Sequence, residues 1–199
     1  MTLKIGITGG IGTGKTAACN FFKKLGVPVF NADQEAKWLM NNEPSLIQSL
    51  KDLFGDKAYI DNSLNRSFIA DHIFKDQKIK EKMEQLVHPA VGNHFQRWIS
   101  KHQVPYILKE AALIYEIGDE KNLDHVIVVD APLDERIERV KKRDNSNLDA
   151  ISDRIKNQME QHVKVRKADF VLFNNEGLGE LEKAVYELDI KLNDLAKLR

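Results

Sequence analysis

One glycine-rich stretch near the N-terminus, Gly9–Thr16, constrains the fold of this 199-residue chain more than any other feature. Its sequence, GGIGTGKT, matches the pattern G-x-x-x-x-G-K-[ST] in full. A β-branched run, Leu3–Thr8, precedes the stretch, and a pattern with a 3.6-residue period follows it as far as Gly26. The sequence therefore predicts a phosphate-binding loop (P-loop) between a strand and a helix.

The residue types of this loop suit the phosphates of ATP. Glycines let successive backbone N–H groups face inward, and the start of the following helix adds the positive end of its dipole. We expect Lys15 to reach the β- and γ-phosphates and the Thr16 hydroxyl to bind Mg²⁺. The predicted nucleotide-binding residues are Gly9, Gly10, Ile11, Gly12, Thr13, Gly14, Lys15 and Thr16.

Short β-branched runs alternate with longer helical patterns, which predicts an α/β fold with a five-stranded parallel sheet and helices on both faces. The strand candidates are Leu3–Thr8, Val27–Asn31, Tyr106–Lys109, His125–Asp130 and Asp169–Phe173. A leucine stripe from Leu178 to Leu195 predicts a final helix, which we expect to cover the sheet rather than form a coiled coil.

Two connections are too long for plain crossovers and predict helical insertions. The first, about 33–104, contains three helical stripes: one ends at Gly55, one ends at the His88-Pro89 pair, and one follows that pair. The second, about 132–168, is dense in charge and carries five candidate lid arginines: Arg136, Arg139, Arg143, Arg154 and Arg166. We expect one domain, with the first insertion binding the acceptor and the second acting as a lid.

Composition and the absence of certain motifs limit the class of P-loop protein to which this chain can belong. Lys plus Arg equals Asp plus Glu at 30 each, and a neutral chain is a poor candidate for non-specific nucleic-acid binding. No Asn-Lys-x-Asp signature of a GTPase occurs, and Asp52-Leu53-Phe54-Gly55 ends a helical stripe rather than a strand. A motor or transport ATPase needs a longer chain. A kinase for a small molecule is the class that remains.

Several further stretches resemble the dephospho-CoA kinases over nearly the whole chain. These are GITGGIGTGKT, VFNAD ending at Asp33, LNRSFIADHIF, MEQLVHPAV, ERVKKRD and RKADFVLFNN. The resemblance implies phosphorylation of the ribose 3′-hydroxyl of dephospho-CoA by ATP, giving CoA and ADP. It also implies that Asp33 acts with Lys15 in catalysis and that Arg66 and His88 bind the acceptor. Of the candidate lid arginines, we predict Arg139, Arg143, Arg154 and Arg166 as the lid residues.

One stretch departs from the usual family pattern. Where the family has Asp-x-Pro-Leu-Leu-Phe-Glu, this chain has Glu110-Ala-Ala-Leu-Ile-Tyr-Glu116. Glu110 keeps a carboxylate that is one methylene longer, and we expect it to join Thr16 in the Mg²⁺ shell. Asp130, at the end of another apolar strand, is the competing candidate for this shell, and either carboxylate could instead be a structural cap.

Some weaker expectations complete the analysis. No window approaches 18 apolar residues, so we expect a cytoplasmic protein, a monomer without membrane or nucleic-acid partners. Asp33 has an alternative interpretation as the N-cap of the next helix, and His88 as a residue at a helix C-terminus. The alternative functions are a nucleoside monophosphate kinase or related small-molecule kinase, a nucleotide-dependent switch, and an inactive P-loop scaffold.

Overall fold

The computed structural model describes residues 2–144 and 148–198 of the chain. These residues fall into two compact units, one within 1–31 and 102–199 and the other spanning Ala32–Lys101. Asn145–Asn147, in the middle of the predicted lid, lie outside the described residues. None of the described helices is both long and apolar enough to span a bilayer.

The first unit is built on a parallel sheet, as the alternating pattern predicts. Its five strands are β1 (Leu3–Thr8), β2 (Val29–Asn31), β5 (Tyr106–Glu110), β6 (His125–Asp130) and β7 (Phe170–Phe173). Their order is β2-β5-β1-β6-β7, and every neighbouring pair is parallel. The P-loop strand β1 is therefore central, with β5 on one side and β6 on the other. All five strands agree with the predicted ones to within two residues at each end.

Helices flank this sheet, and two of them enclose its main core. The helices of the first unit are α1 (Lys15–Lys24), α6 (Leu133–Asp144), α7 (Leu148–Lys156), α8 (Gln161–Lys167) and α9 (Leu178–Lys197). Phe22 of α1 and Leu181, Val185 and Leu192 of α9 are buried with the apolar residues of β1, β5, β6 and β7. The expectation that the final leucine stripe packs on the sheet is thus confirmed, because its inward face lies in the core rather than on a second helix of a coiled coil.

The second unit, Ala32–Lys101, is helical with one small hairpin. Its elements are α2 (Ala32–Asn42), α3 (Pro44–Phe54), α4 (Arg66–Lys75), α5 (Gln77–Ile99), and the two-residue strands β3 (Tyr59–Ile60) and β4 (Ser63–Leu64). Gly55 follows α3 with a φ of 81°, so the predicted helix stop is confirmed. The hairpin was not predicted, since two-residue strands leave no pattern of alternation to detect.

The prediction that a helix ends at His88-Pro89 is wrong. Helix α5 continues through Pro89 for ten more residues. Proline has no N–H to bond one turn back, which costs a helix interior about 3 kcal/mol. Val87, Val91 and Phe95 are buried on both sides of the proline, and α5 packs against α2, α3 and α4. Burial of each large side chain contributes about 1.5–3 kcal/mol, which offsets that cost.

Candidate active site

The loop after β1 has the backbone geometry that its glycines predict. Gly12 and Gly14 have φ angles of 81° and 102°, in the left-handed region that disfavours residues with a Cβ. A Cβ on Gly12 would lie 2.4 Å from the Arg136 carbonyl oxygen, and one on Gly14 would lie 2.3 Å from Asn174 Nδ2. Helix α1 begins at Lys15, at the last two residues of the motif, so the unpaired N–H groups of its first turn point toward the loop. This arrangement can bind an anion.

Lys15 and Thr16 extend from the first turn of α1. Lys15 Nζ donates to the carbonyl oxygens of Gly9 (2.6 Å) and Gly10 (3.4 Å), which places the ammonium group across the loop. The Thr16 hydroxyl donates to Glu110 Oε1 at 3.3 Å. The Lys15 ammonium group, the Thr16 hydroxyl and the Glu110 carboxylate therefore lie together at the start of α1.

Glu110 lies at the end of β5, next to the P-loop strand. Its register partners are Ile7 of β1 and Asn31 of β2. The carboxylate is buried and accepts a second hydrogen bond, from Asn31 Nδ2 to Oε2 at 2.8 Å. Burial, with the charge and a hydrogen bond of Glu110 adding to it, raises the pKa of the Cys19 thiol well above its usual range. Cys19 is therefore a neutral neighbour of this carboxylate.

Asp130 lies on the other side of β1, at the end of β6. Its Oδ1 accepts from Gln161 Nε2 at 2.9 Å, and its backbone oxygen accepts from the Asn174 N–H at 2.8 Å. Both candidate carboxylates thus flank the P-loop strand, as expected for strand ends of a parallel sheet. Within the described part of the chain, Glu110 accepts a hydrogen bond from the Thr16 hydroxyl, and Asp130 does not. This geometry supports Glu110 rather than Asp130 as the partner of Thr16.

Mg²⁺ fits the donors that meet at Thr16. A hydroxyl and a carboxylate are hard oxygen ligands, and Mg²⁺ is usually held by one or two carboxylates together with substrate phosphates and several waters. Glu110 is buried and accepts hydrogen bonds from Thr16 and Asn31, so its two oxygens are held in place beside the loop.

The four predicted lid arginines lie in different surroundings. Arg139 donates from Nη2 to the Asn174 carbonyl at 2.9 Å and also to Glu135. Arg143 and Arg154 both pair with Asp144, at 2.7 and 2.9 Å, and these ion pairs lower the pKa of Asp144 to about 2. Arg166 is exposed on α8. In this conformation Arg139 is linked to the loop through Asn174, whose Nδ2 donates to the Thr13 carbonyl at 2.9 Å.

Three polar side chains hold the loop: Arg136, which is one of the candidate lid arginines, and two glutamines that were not predicted as site residues. Arg136 is buried, and its Nε donates to the Ile11 carbonyl at 3.0 Å. Burial lowers the pKa of its guanidinium, although Asp130 acts in the opposite direction. Gln158 and Gln161 accept from the N–H groups of Ile11 and Gly10. Their sequence separation from the loop exceeds 120 residues, and no spacing rule links glutamines of this kind to a P-loop.

Three predicted acceptor-side residues belong to the second unit. Asp33 lies in the first turn of α2, which begins at Ala32, so it is inside the helix rather than at the N-cap position. Arg66 is the first residue of α4. His88 is exposed in the middle of α5, so its interpretation as a helix C-terminal residue is wrong, because α5 continues through Pro89.

Comparison with known proteins shows the family of this chain. A sequence model of the family described as dephospho-CoA kinase matches residues 3–180. A dephospho-CoA kinase from Bacteroides fragilis is 35% identical over 176 residues, covering 88% of this chain and 86% of the relative. One from Salinibacter ruber is 35% identical over 188 residues, covering 92% and 94%.

Solved structures share the fold. The crystal structure of TT1252 from Thermus thermophilus superposes with a TM-score of 0.86 at 31% identity, covering 96% of this chain and 98% of that one. A dephospho-CoA kinase from Campylobacter jejuni has a TM-score of 0.71 at 21% identity, covering 98% of each chain, which supports the fold alone. The family match covers most of the chain and includes the P-loop, Glu110 and the lid segment. This chain belongs to the dephospho-CoA kinase family and is a P-loop kinase.

Proposed function

We propose that this enzyme transfers the γ-phosphoryl group of ATP to the ribose 3′-hydroxyl of dephospho-CoA, giving CoA and ADP in the last step of coenzyme A biosynthesis. The observation that carries the proposal is the family match over residues 3–180, together with relatives at 35% identity that are named for this activity. The loop geometry around Lys15 and Thr16 supplies the physical basis for binding ATP.

In the proposed mechanism, the residues of the first unit bind and orient ATP. The inward N–H groups of the loop and Lys15 neutralise the β- and γ-phosphates. Thr16 and Glu110 would hold Mg²⁺, which supplies charge neutralisation at the phosphoryl oxygens when bound. Lid arginines lower the charge on the moving group; the candidates are Arg139, Arg143, Arg154 and Arg166. Little covalent chemistry is required of the protein, so positioning and electrostatics account for most of the rate.

The second unit, Ala32–Lys101, is proposed to bind the acceptor, and the segment about 132–168 to act as the lid. Asp33 would orient the ribose hydroxyl and accept its proton, while Arg66 and His88 would contact the rest of dephospho-CoA. Asp33 suits the role of a base because a carboxylate within hydrogen-bond reach of a hydroxyl can accept its proton during transfer. The proposal includes a monomeric, cytoplasmic enzyme without nucleic-acid or membrane partners.

A coupled assay of ADP release tests the acceptor. We expect release with dephospho-CoA to exceed by far the release with AMP, CMP or shikimate, each at the same concentration. Lys15→Ala is the control for the chemistry, and we expect it to abolish most turnover in every arm while keeping the melting temperature of the ligand-free protein. Equal rates of ADP release with AMP or CMP would overturn the assignment of dephospho-CoA as the acceptor and would favour a nucleoside monophosphate kinase. Release that no acceptor stimulates would indicate a nucleotide switch.

A further inference from the structure

The backbone N–H groups of Gly10 and Ile11 in the P-loop bond to side chains that lie outside the P-loop motif. The Gly10 N–H donates to Gln161 Oε1 at 2.8 Å, and the Ile11 N–H donates to Gln158 Oε1 at 2.9 Å. Both glutamines come from the end of the predicted lid, 151 and 147 residues away in the sequence. Two amide oxygens of one short segment therefore bond consecutive N–H groups of the loop.

Gln161 has further partners at the end of β6. Its Nε2 donates to Asp130 Oδ1 at 2.9 Å and to the Val129 carbonyl at 3.0 Å. A Cβ on Gly10 would lie 2.3 Å from Arg136 Nη2 and 3.1 Å from Gln161 Oε1, so both side chains pack closely against this glycine. Gln161, the first residue of α8, thus connects the loop to the end of the neighbouring strand β6.

The carbonyl groups of the same two residues are also bonded. Arg136 Nε donates to the Ile11 oxygen at 3.0 Å, and the Thr13 hydroxyl donates to the Gly10 oxygen at 2.9 Å. Each peptide group of this dipeptide is consequently fixed in orientation. An anion nest binds phosphate well only when its amides are already oriented, because reorienting them during binding costs free energy.

We propose that Gln158 and Gln161 are positioning residues for ATP: their amide oxygens hold the N–H groups of Ile11 and Gly10, so that the loop keeps the shape that binds phosphate while the 157–161 segment lies on it. They act through the backbone and need not touch the nucleotide. The proposal rests on the proposed binding of ATP to the loop. It adds a function to the lid segment, because the state of this segment sets the affinity of the loop for nucleotide.

Substitution by methionine tests the proposal, since methionine keeps the length and shape of glutamine and removes its hydrogen bonds. We expect Gln158→Met and Gln161→Met to weaken Mg·ADP binding about tenfold, which corresponds to about 1.4 kcal/mol, as measured by calorimetry. The KM for ATP should rise by a similar factor, with kcat changed less than threefold. Amide exchange, followed by NMR in the nucleotide-free protein, should become faster at Ile11 in the first variant and at Gly10 in the second.

Gln103→Met is the matched control, because Gln103 is exposed and precedes β5, at the end of the parallel strands opposite to the P-loop. It should bind Mg·ADP as the wild type does. If Gln161→Met unfolds the protein, Gln158→Met decides the matter, since it leaves the bonds of Gln161 in place. ADP affinity within twofold of the wild type in Gln158→Met would overturn the proposal, and so would tighter binding, which would mean that the amide oxygens compete with phosphate. The calorimetry of Mg·ADP binding and the amide exchange require no acceptor, so failure of the acceptor assignment would not affect these two results.

Discussion

At the scale of single residues, the two carboxylates beside the P-loop strand have different partners. Glu110 accepts from the Thr16 hydroxyl, whereas Asp130 accepts from Gln161. A carboxylate that binds Mg²⁺ together with Thr16 should lie next to the Thr16 hydroxyl. Substitution of residues around a metal site usually lowers affinity or activity by about 10–100-fold. The geometry therefore favours Glu110 for this role.

We expect Glu110→Gln to raise the Mg²⁺ concentration needed for half-maximal turnover by about 10–100-fold, and Asp130→Asn to raise it much less. The amide of the variant keeps a similar shape but removes the charge that attracts the cation. Binding of Mn²⁺·ADP, measured by electron paramagnetic resonance, should weaken in parallel and gives a readout that is independent of turnover. A larger effect of Asp130→Asn in both measurements would assign the shell to β6 instead.

Asp33 gives a second prediction at this scale. If it accepts the acceptor proton, Asp33→Asn should lower kcat by about 10²–10⁴-fold and leave the dissociation constant of Mg·ADP nearly unchanged. Because Asp33 lies inside the first turn of α2, a purely structural role would be charge stabilisation of the helix start, worth about 0.3–1 kcal/mol. Near-normal kcat with a small loss of stability in urea would favour that structural role.

At the scale of elements, helix α8 is anchored by an ion pair between a buried lysine and a partly buried glutamate. Lys164 is fully buried, and its Nζ lies 2.7 Å from Glu116 Oε1 and donates to the Ala112 carbonyl at 2.9 Å. Glu116 Oε1 also accepts from the Met159 N–H at 2.8 Å. The segment after β5 is thereby joined to the helix that begins with Gln161.

Removal of Lys164 should be costly, because it leaves the partly buried Glu116 carboxylate without its cationic partner and removes a fully buried side chain. We expect Lys164→Ala to lower the free energy of unfolding in urea by about 3–5 kcal/mol. The control is Lys197→Ala, which breaks a pair of similar length, 2.8 Å, whose side chains are largely exposed. Exposed pairs contribute about 0–1 kcal/mol. A similar small loss in both variants would contradict the anchoring role of Lys164.

At the scale of the whole molecule, the proposed functions divide between the two units. The P-loop, Glu110 and the lid segment belong to the first unit, and the proposed acceptor residues belong to Ala32–Lys101. The second unit has its own buried residues, among them Leu39, Leu50, Ile69, Val91 and Phe95. A substitution that opens a cavity in this core should therefore weaken binding of the acceptor more than binding of the nucleotide.

We expect Leu50→Ala to cost about 2–5 kcal/mol of stability and, at a temperature where the variant is folded, to raise the KM for dephospho-CoA. The dissociation constant of Mg·ADP should stay within about twofold, because the cavity lies in the other unit. Leu192→Ala, in the core of the first unit, removes the same atoms and controls for a general loss of stability. Equal losses of acceptor and nucleotide binding in Leu50→Ala would contradict the division.

The sequence by itself determined the phosphate-binding loop, the five parallel strands and the family. These depend on local information: glycines permit φ angles that other residues disfavour, and β-branched runs indicate buried strands. The helix stop at Gly55 was predictable for the same reason. Local rules failed at Pro89, where burial of Val87, Val91 and Phe95 in α5 outweighs the missing N–H.

Only the tertiary structure decided which side chains hold the loop. Arg136, Gln158 and Gln161 bond Gly10 and Ile11 from more than 120 residues away, and Thr16 bonds Glu110 across 94 residues. Such pairs form because packing of helices against the sheet brings distant segments close enough for their side chains to form hydrogen bonds of 2.8–3.3 Å, and no periodicity in the sequence encodes that proximity. The motif therefore defines where phosphate binds, while the packing of the chain around it decides which residues orient the loop.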